Sequence, residues 1–220
     1  MSVKRLLAAQ SAVIVLVSVN RLSPFTKEFA AANQFLRWVE VLNLLLSLAG
    51  VVLTFRLLRA VRPAANRWLD LTFAVGVWLY AAGYGDHETT NYLHERFCPT
   101  TASDLCRIVA YHDDTFSHLL FFAGFIVLAV VVMAAQASAP DPRPLTTSDH
   151  FSVVLNGLLV AAGIVANLAF EPIGLDLYVV AIVAVVAVVL LLRHPGQLVL
   201  RYYGLAFVTG LLATAAIRAS

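Results

Sequence analysis

The order of apolar and polar positions divides the chain into seven long hydrocarbon runs joined by short polar connections. A helix needs roughly 17–25 apolar residues to cross a bilayer core of about 30 Å, and seven such runs are read: 6–23, 35–58, 69–85, 113–136, 151–170, 175–192 and 198–217. The first follows Lys4 and Arg5 as a signal peptide would, yet no small-residue cleavage site precedes Arg21, so it is expected to stay as a helix. The predicted fold is all-α: one polytopic domain over 1–220, a bundle of seven transmembrane helices.

Composition agrees. Sixty per cent of the residues are apolar and 13% charged, with a mean hydropathy of +0.83, against about half and a quarter in soluble domains. The chain is expected to be a multi-pass protein of the cell membrane. Its net charge of +2 is small and its basic residues are spread between the runs, which argues against a nucleic-acid partner. Placing the N-terminus in the cytoplasm puts Lys4, Arg5, Arg56, Arg59, Arg62, Arg67, Arg143, Arg193 and Arg201 inside; Arg21, Lys27, Arg37, Arg96, Arg107 and Arg218 then lie outside. The dense run from Arg56 to Arg67 decides the orientation. The C-terminus is then extracytoplasmic, and so is the loop 86–112. That loop carries Cys98 and Cys106, the two cysteines of the chain, and an oxidising compartment would close them into a disulfide.

Polarity is concentrated around that loop. Segment 85–118 holds four of the six histidines and both cysteines, and ionisable groups so clustered in a membrane protein mark the place of any chemistry. If the third helix continues past Gly85, His87, Asn91 and His94 share one stripe, with Glu88 and Glu95 about a quarter-turn away. On the fourth helix Asp114 and His118 are i and i+4, whereas His112 on the same regular helix points almost the opposite way. Imidazoles combined with carboxylates suit zinc or iron, so the expected ligands are His87, His94, Asp114 and His118. Asp86 or Glu88 would take a proton from bound water, and Asp113 and Glu95 would stand behind as supporting groups. Further polar residues fall on the same side of the membrane: Arg37, Glu40 and Asn43 on the second helix, Asn167 and Glu171 on the fifth, and Asp176 at the start of the sixth. With His112 they complete an outward-facing polar basin. His150 and His194 sit by loops on the other side and read as surface residues.

Two resemblances follow from these residues. His112-Asp113-Asp114-Thr115-Phe116-Ser117-His118 resembles the HisXAspXXXHis signature of the YjdF-like family of prokaryotic inner-membrane proteins, and Glu171-Pro172-Ile173-Gly174-Leu175-Asp176 is similar to that family's glutamate and GlyXXAsp region. The resemblance implies a polar site at the outer end of a prokaryotic membrane bundle. Ser117, His118 and Asp114 are similar in kind to the zinc site of the seven-helix hydrolases that include alkaline ceramidases and adiponectin receptors. The seventh run here has no histidine, so that resemblance implies a site rebuilt on helices three and four. The same run has no lysine for a retinal Schiff base.

The function this supports is metal-dependent hydrolysis of a membrane lipid at an extracytoplasmic His/Asp site. The alternative is a haem- or metal-binding redox or accessory subunit, held to a membrane-protein partner and without hydrolytic activity.

Overall fold

The computed structural model describes residues 1–32, 34–62, 64–168 and 175–219, apart from the side chains of 167 and 168. The chain forms α1 (Val3–Leu22), α2 (Trp38–Val61), α3 (Arg67–Phe97), α4 (Asp104–Tyr111), α5 (Ser117–Ser138), α6 (Thr147–Leu168), α7 (Leu175–Arg193) and α8 (Leu198–Ala219). A short 3₁₀ turn at Phe25–Lys27 follows α1, and a π-helical turn at His112–Phe116 joins α4 to α5 without a break. Among the described residues the β structure is a single bridge between Phe29 and Arg37. Counting α4, the π turn and α5 as one unit, six helices are long and apolar enough to cross a membrane. The seventh long helix is α3.

The ends of α3 explain its length. Asn66 caps it, its side-chain oxygen accepting the amides of Trp68 and Leu69 at 3.1 and 3.3 Å. Beyond the apolar run, residues 86–97 contain no proline or glycine, so nothing stops the helix where hydropathy does. At 1.5 Å per residue its 31 residues span about 46 Å, half as long again as a bilayer core of about 30 Å. Much of segment 86–112, expected as a loop, is therefore helical: 98–103 separates α3 from α4, and His112 opens the π turn. Ser103 starts α4 by accepting the Cys106 amide at 3.2 Å.

α3 lies along α5, α6 along α8, and α1 runs between α2 and α6. Leu57, Leu58, Val132, Met133, Val183 and Leu200 form the centre, each fully buried. The outward face of α2 presents Leu44, Leu45, Leu48, Val52 and Phe55 to the surroundings, as a face toward lipid acyl chains would.

Cys98 and Cys106 are joined, with their Cα atoms 5.2 Å apart, and the bridge ties the end of α3 to α4. Cys98→Ser is expected to cost about 2–3 kcal/mol for a loop closed over eight residues, read as a lower thermal midpoint in detergent. Thiol labelling of the wild type should succeed only after reduction.

Candidate metal centre

The π turn decides how the polar residues meet. Ser117 donates its amide to the carbonyl of His112, five residues back rather than four. On a regular helix positions five apart stand about 140° from one another; the wider turn brings them onto one face, an irregularity often found at functional sites. Asp113 and His118 are such a pair. His118 Nδ1 lies 2.8 Å from the Asp113 carbonyl oxygen, and because a carbonyl only accepts, that nitrogen carries the proton and Nε2 keeps a lone pair. Ser117 also donates to the same carbonyl, at 2.8 Å.

Asp113 is the centre of the cluster. It is 3% exposed, and each oxygen of its carboxylate meets an imidazole from α3. Oδ2 accepts from His94 Nδ1 at 2.8 Å, and Oδ1 stands 3.1 Å from His87 Nδ1. His87 Nδ1 and Asp113 Oδ1 are both buried and neither has a hydrogen-bond partner among the described residues: close, but not aligned on each other. Two ligands about 2.1 Å from a shared ion stand roughly 3.0 Å apart in an octahedral site and about 3.4 Å apart in a tetrahedral one. At 3.1 Å the two atoms are as far apart as an imidazolium and a carboxylate in an ion pair, and also as two ligands of one cation. On the other side of the carboxylate, His94, Asp113 and Asp114 each offer a donor atom within 4.8 Å of the others. The rings of His87 and His118 meet edge to face, their centroids 4.7 Å apart.

Of the four ligands expected from sequence, His94 and Asp114 belong to that three-residue grouping, while His87 and His118 reach it through Asp113. Sequence reasoning left Asp113 in a supporting role because it assumed a regular helix. His112 turns away from the cluster and pairs with Asp86, its Nδ1 at 3.0 and 3.2 Å from the two carboxylate oxygens. Asn167 and Glu171 fall outside the described residues, the former by its side chain.

The second helix closes the basin. Arg37 and Glu40 form a buried pair at 2.5 Å, and Glu40 also accepts the Arg37 amide at 3.0 Å, satisfying one free donor at the start of α2. The guanidinium reaches on to Glu95 of α3 at 2.5 Å and lies over the Tyr92 ring. Asn43 receives a hydrogen bond from Asn20 of α1 at 2.7 Å and donates to both oxygens of Glu88, at 3.0 and 3.2 Å. Asn20, 4% exposed, was not singled out in the sequence, where it resembles any polar residue ending an apolar run.

These groups open onto a cavity of about 610 Å³ between the helices, partly open to the surroundings and within the usual range for small-molecule sites. Its polar end is lined by Asn43, His87, Glu88, Asp113, Asp114 and His118, whereas Phe125, Val180, Tyr203 and Phe207 line the rest. Asp86 and His94 are not part of the lining. No family model, no curated protein and no solved structure matches the chain.

Proposed function

We propose that the protein is a multi-pass membrane hydrolase that draws an amphiphile into the bundle and cleaves it at the Asp113 cluster with the help of a divalent metal. The observation that carries this reading is the two-ended cavity: carboxylates and imidazoles at one end, aromatic and aliphatic side chains along the rest. A headgroup and a hydrocarbon chain are thereby sorted by one pocket. The approach of His87 Nδ1 to Asp113 Oδ1 at 3.1 Å without an aligned hydrogen bond, with Asp114 and His94 close by, supports a cation there.

In this reading Asp113, His87, His94 and Asp114 would hold the ion, and His118, which lines the pocket, has Nε2 unprotonated. A divalent ion so bound supplies an acidified water and a polarised scissile carbonyl. Glu88 is the base. It lines the cavity, is 7% exposed, and Asn43 fixes its carboxylate by donating to both oxygens. Asp86 is set aside for that role because it pairs with His112 outside the cavity. The N-terminus is cytoplasmic and the site faces outward, as the basic residues around Arg56–Arg67 and the Cys98–Cys106 bridge support; the substrate is then a lipid of the outer leaflet.

The test is hydrolysis by the purified protein in nanodiscs against a panel of single- and double-chain esters and amides. Release of an acyl chain that a chelator stops and zinc restores is the expected result. Glu88→Gln should retain metal and lose roughly 100–10,000-fold in turnover, the range for removing a general base. Hydrolysis indifferent to chelation, or none from any member of the panel, would count against the reading.

A further inference from the structure

Arginine is concentrated at the end of the bundle away from Asp113. Residues 56–70 hold Arg56, Arg59, Arg62 and Arg67 against one carboxylate, Asp70. Arg62 takes that carboxylate, at 2.6 Å, and the bond ties the end of α2 to the start of α3. Asp141 and Asp149, at the same end of the bundle, are held by Arg143 and Lys4. Arg56, Arg59 and Arg67 are exposed, and neither Arg56 nor Arg59 has a hydrogen bond or ion pair among the described residues.

Their place on α2 selects the partner. With 3.6 residues per turn, Arg56 and Arg59 share an arc of about 100° with Leu45, Leu48, Val52 and Phe55, all of them exposed. An apolar stripe open to the outside meets acyl chains in a bilayer. Guanidinium groups that continue the stripe, one turn beyond Val52 and Phe55, therefore meet the headgroups of the same lipids. The lengths agree: Leu48 to Arg59 is eleven positions, about 16 Å, close to half of a bilayer core of about 30 Å. α3 offers the same level beside it. Phe55 packs on Phe73 at 5.7 Å, Arg67 lies over the Trp68 ring, and the exposed Trp68 indole stands where interfacial tryptophans anchor.

We infer that the joined ends of α2 and α3 bind an anionic phospholipid, its headgroup on Arg56 and Arg59 with Arg67 beside them, its acyl chain along Leu48, Val52 and Phe55. A guanidinium fork matches phosphate oxygens, and a soluble anion would leave the apolar stripe unused. A zwitterionic lipid carries its own cation and would leave the arginines uncompensated. In the orientation proposed above this is a lipid of the cytoplasmic leaflet. It is separate from the substrate, so the inference stands whether or not the Asp113 cluster is hydrolytic.

Trp68 reports on the site. Trp38→Phe with Trp78→Phe leaves it as the one tryptophan of the chain. In liposomes, its quenching by phospholipids brominated in the acyl chains, titrated against unbrominated ones, gives the relative affinity for phosphatidylglycerol over phosphatidylcholine. The expected preference is at least about fivefold, what one basic residue contributes at a membrane surface, falling to near parity in Arg56→Gln with Arg59→Gln. The lysine pair, Arg56→Lys with Arg59→Lys, keeps both charges and should keep the preference. Arg193→Gln removes an exposed charge from the same end of the bundle and should leave it unchanged. No preference in the parent protein, survival of the preference in the glutamine pair, or its loss in the lysine pair would overturn the inference. So would an equal loss in Arg193→Gln, which would assign the preference to the overall charge of that face.

Discussion

Asp113→Asn is expected to lower hydrolysis by at least about 100-fold, the upper range for losing even an indirect metal contact, while the protein still folds. The carboxylate serves imidazoles on both its oxygens, His94 at 2.8 Å and His87 at 3.1 Å. An asparagine offers one acceptor and one donor. If the new NH₂ faces His94, that ring must turn its Nδ1 into an acceptor, which moves the proton to Nε2 and removes that lone pair from service; if it faces His87, the oxygen that would share the cation with His87 is lost. The negative charge that would hold the cation goes as well. The fold should survive because the substitution conserves shape and the Asp113 carbonyl still receives Ser117 and His118. The check is turnover alongside the thermal midpoint, and an Asp113→Asn protein with near wild-type turnover would remove Asp113 from the site.

Gly83→Ala should be the most damaging methyl group that can be added on α3. A Cβ at Gly83 would lie 2.3 Å from the Phe121 nitrogen and 2.6 Å from the Ser117 carbonyl oxygen, and one at Gly124 would lie 2.3 Å from the Tyr80 nitrogen. These obstacles are backbone, which cannot swing aside, so α3 and α5 must part by roughly 1 Å to restore ordinary contact. Glycines that let helix backbones touch are the usual means of helix association where hydrophobicity provides no drive. The expected cost is about 3 kcal/mol, the upper end for overpacking, seen as a lower thermal midpoint. Function should suffer too, because His87 and His94 stand on α3 while Asp113 precedes α5, and Ser117 marks the contact between them. Gly85→Ala, two residues away, is the control: a Cβ there meets nothing within 4 Å, and replacing a mid-helix glycine should be neutral or stabilise by up to about 1 kcal/mol. Similar midpoints for the two alanine variants would contradict the close approach.

Much of the bundle is legible in the apolar runs. Six of the seven expected segments end within four residues of the observed helices, among them 175–192 against Leu175–Arg193 and 198–217 against Leu198–Ala219. The third departs furthest, running to Phe97 instead of 85, because hydropathy reports where lipid contact ends and not where backbone hydrogen bonding does. Glutamate, threonine and asparagine at 88–91 weaken the first signal without stopping the second. The collecting of histidines near α5 was also legible, since His87 and His94 share a stripe on any helix. The place of Asp113 was not: the π turn that puts it on one face with His118 has no compositional mark, and regular geometry selects Asp114 instead.

The central claim, a divalent cation held on Asp113, is tested most directly by elemental analysis of the detergent-purified protein with an absorption spectrum of the same sample. The account predicts about one zinc or iron ion per chain, no Soret band, and loss of the ion in Asp113→Asn. No ion above background, or the same content in Asp113→Asn as in wild type, would contradict it.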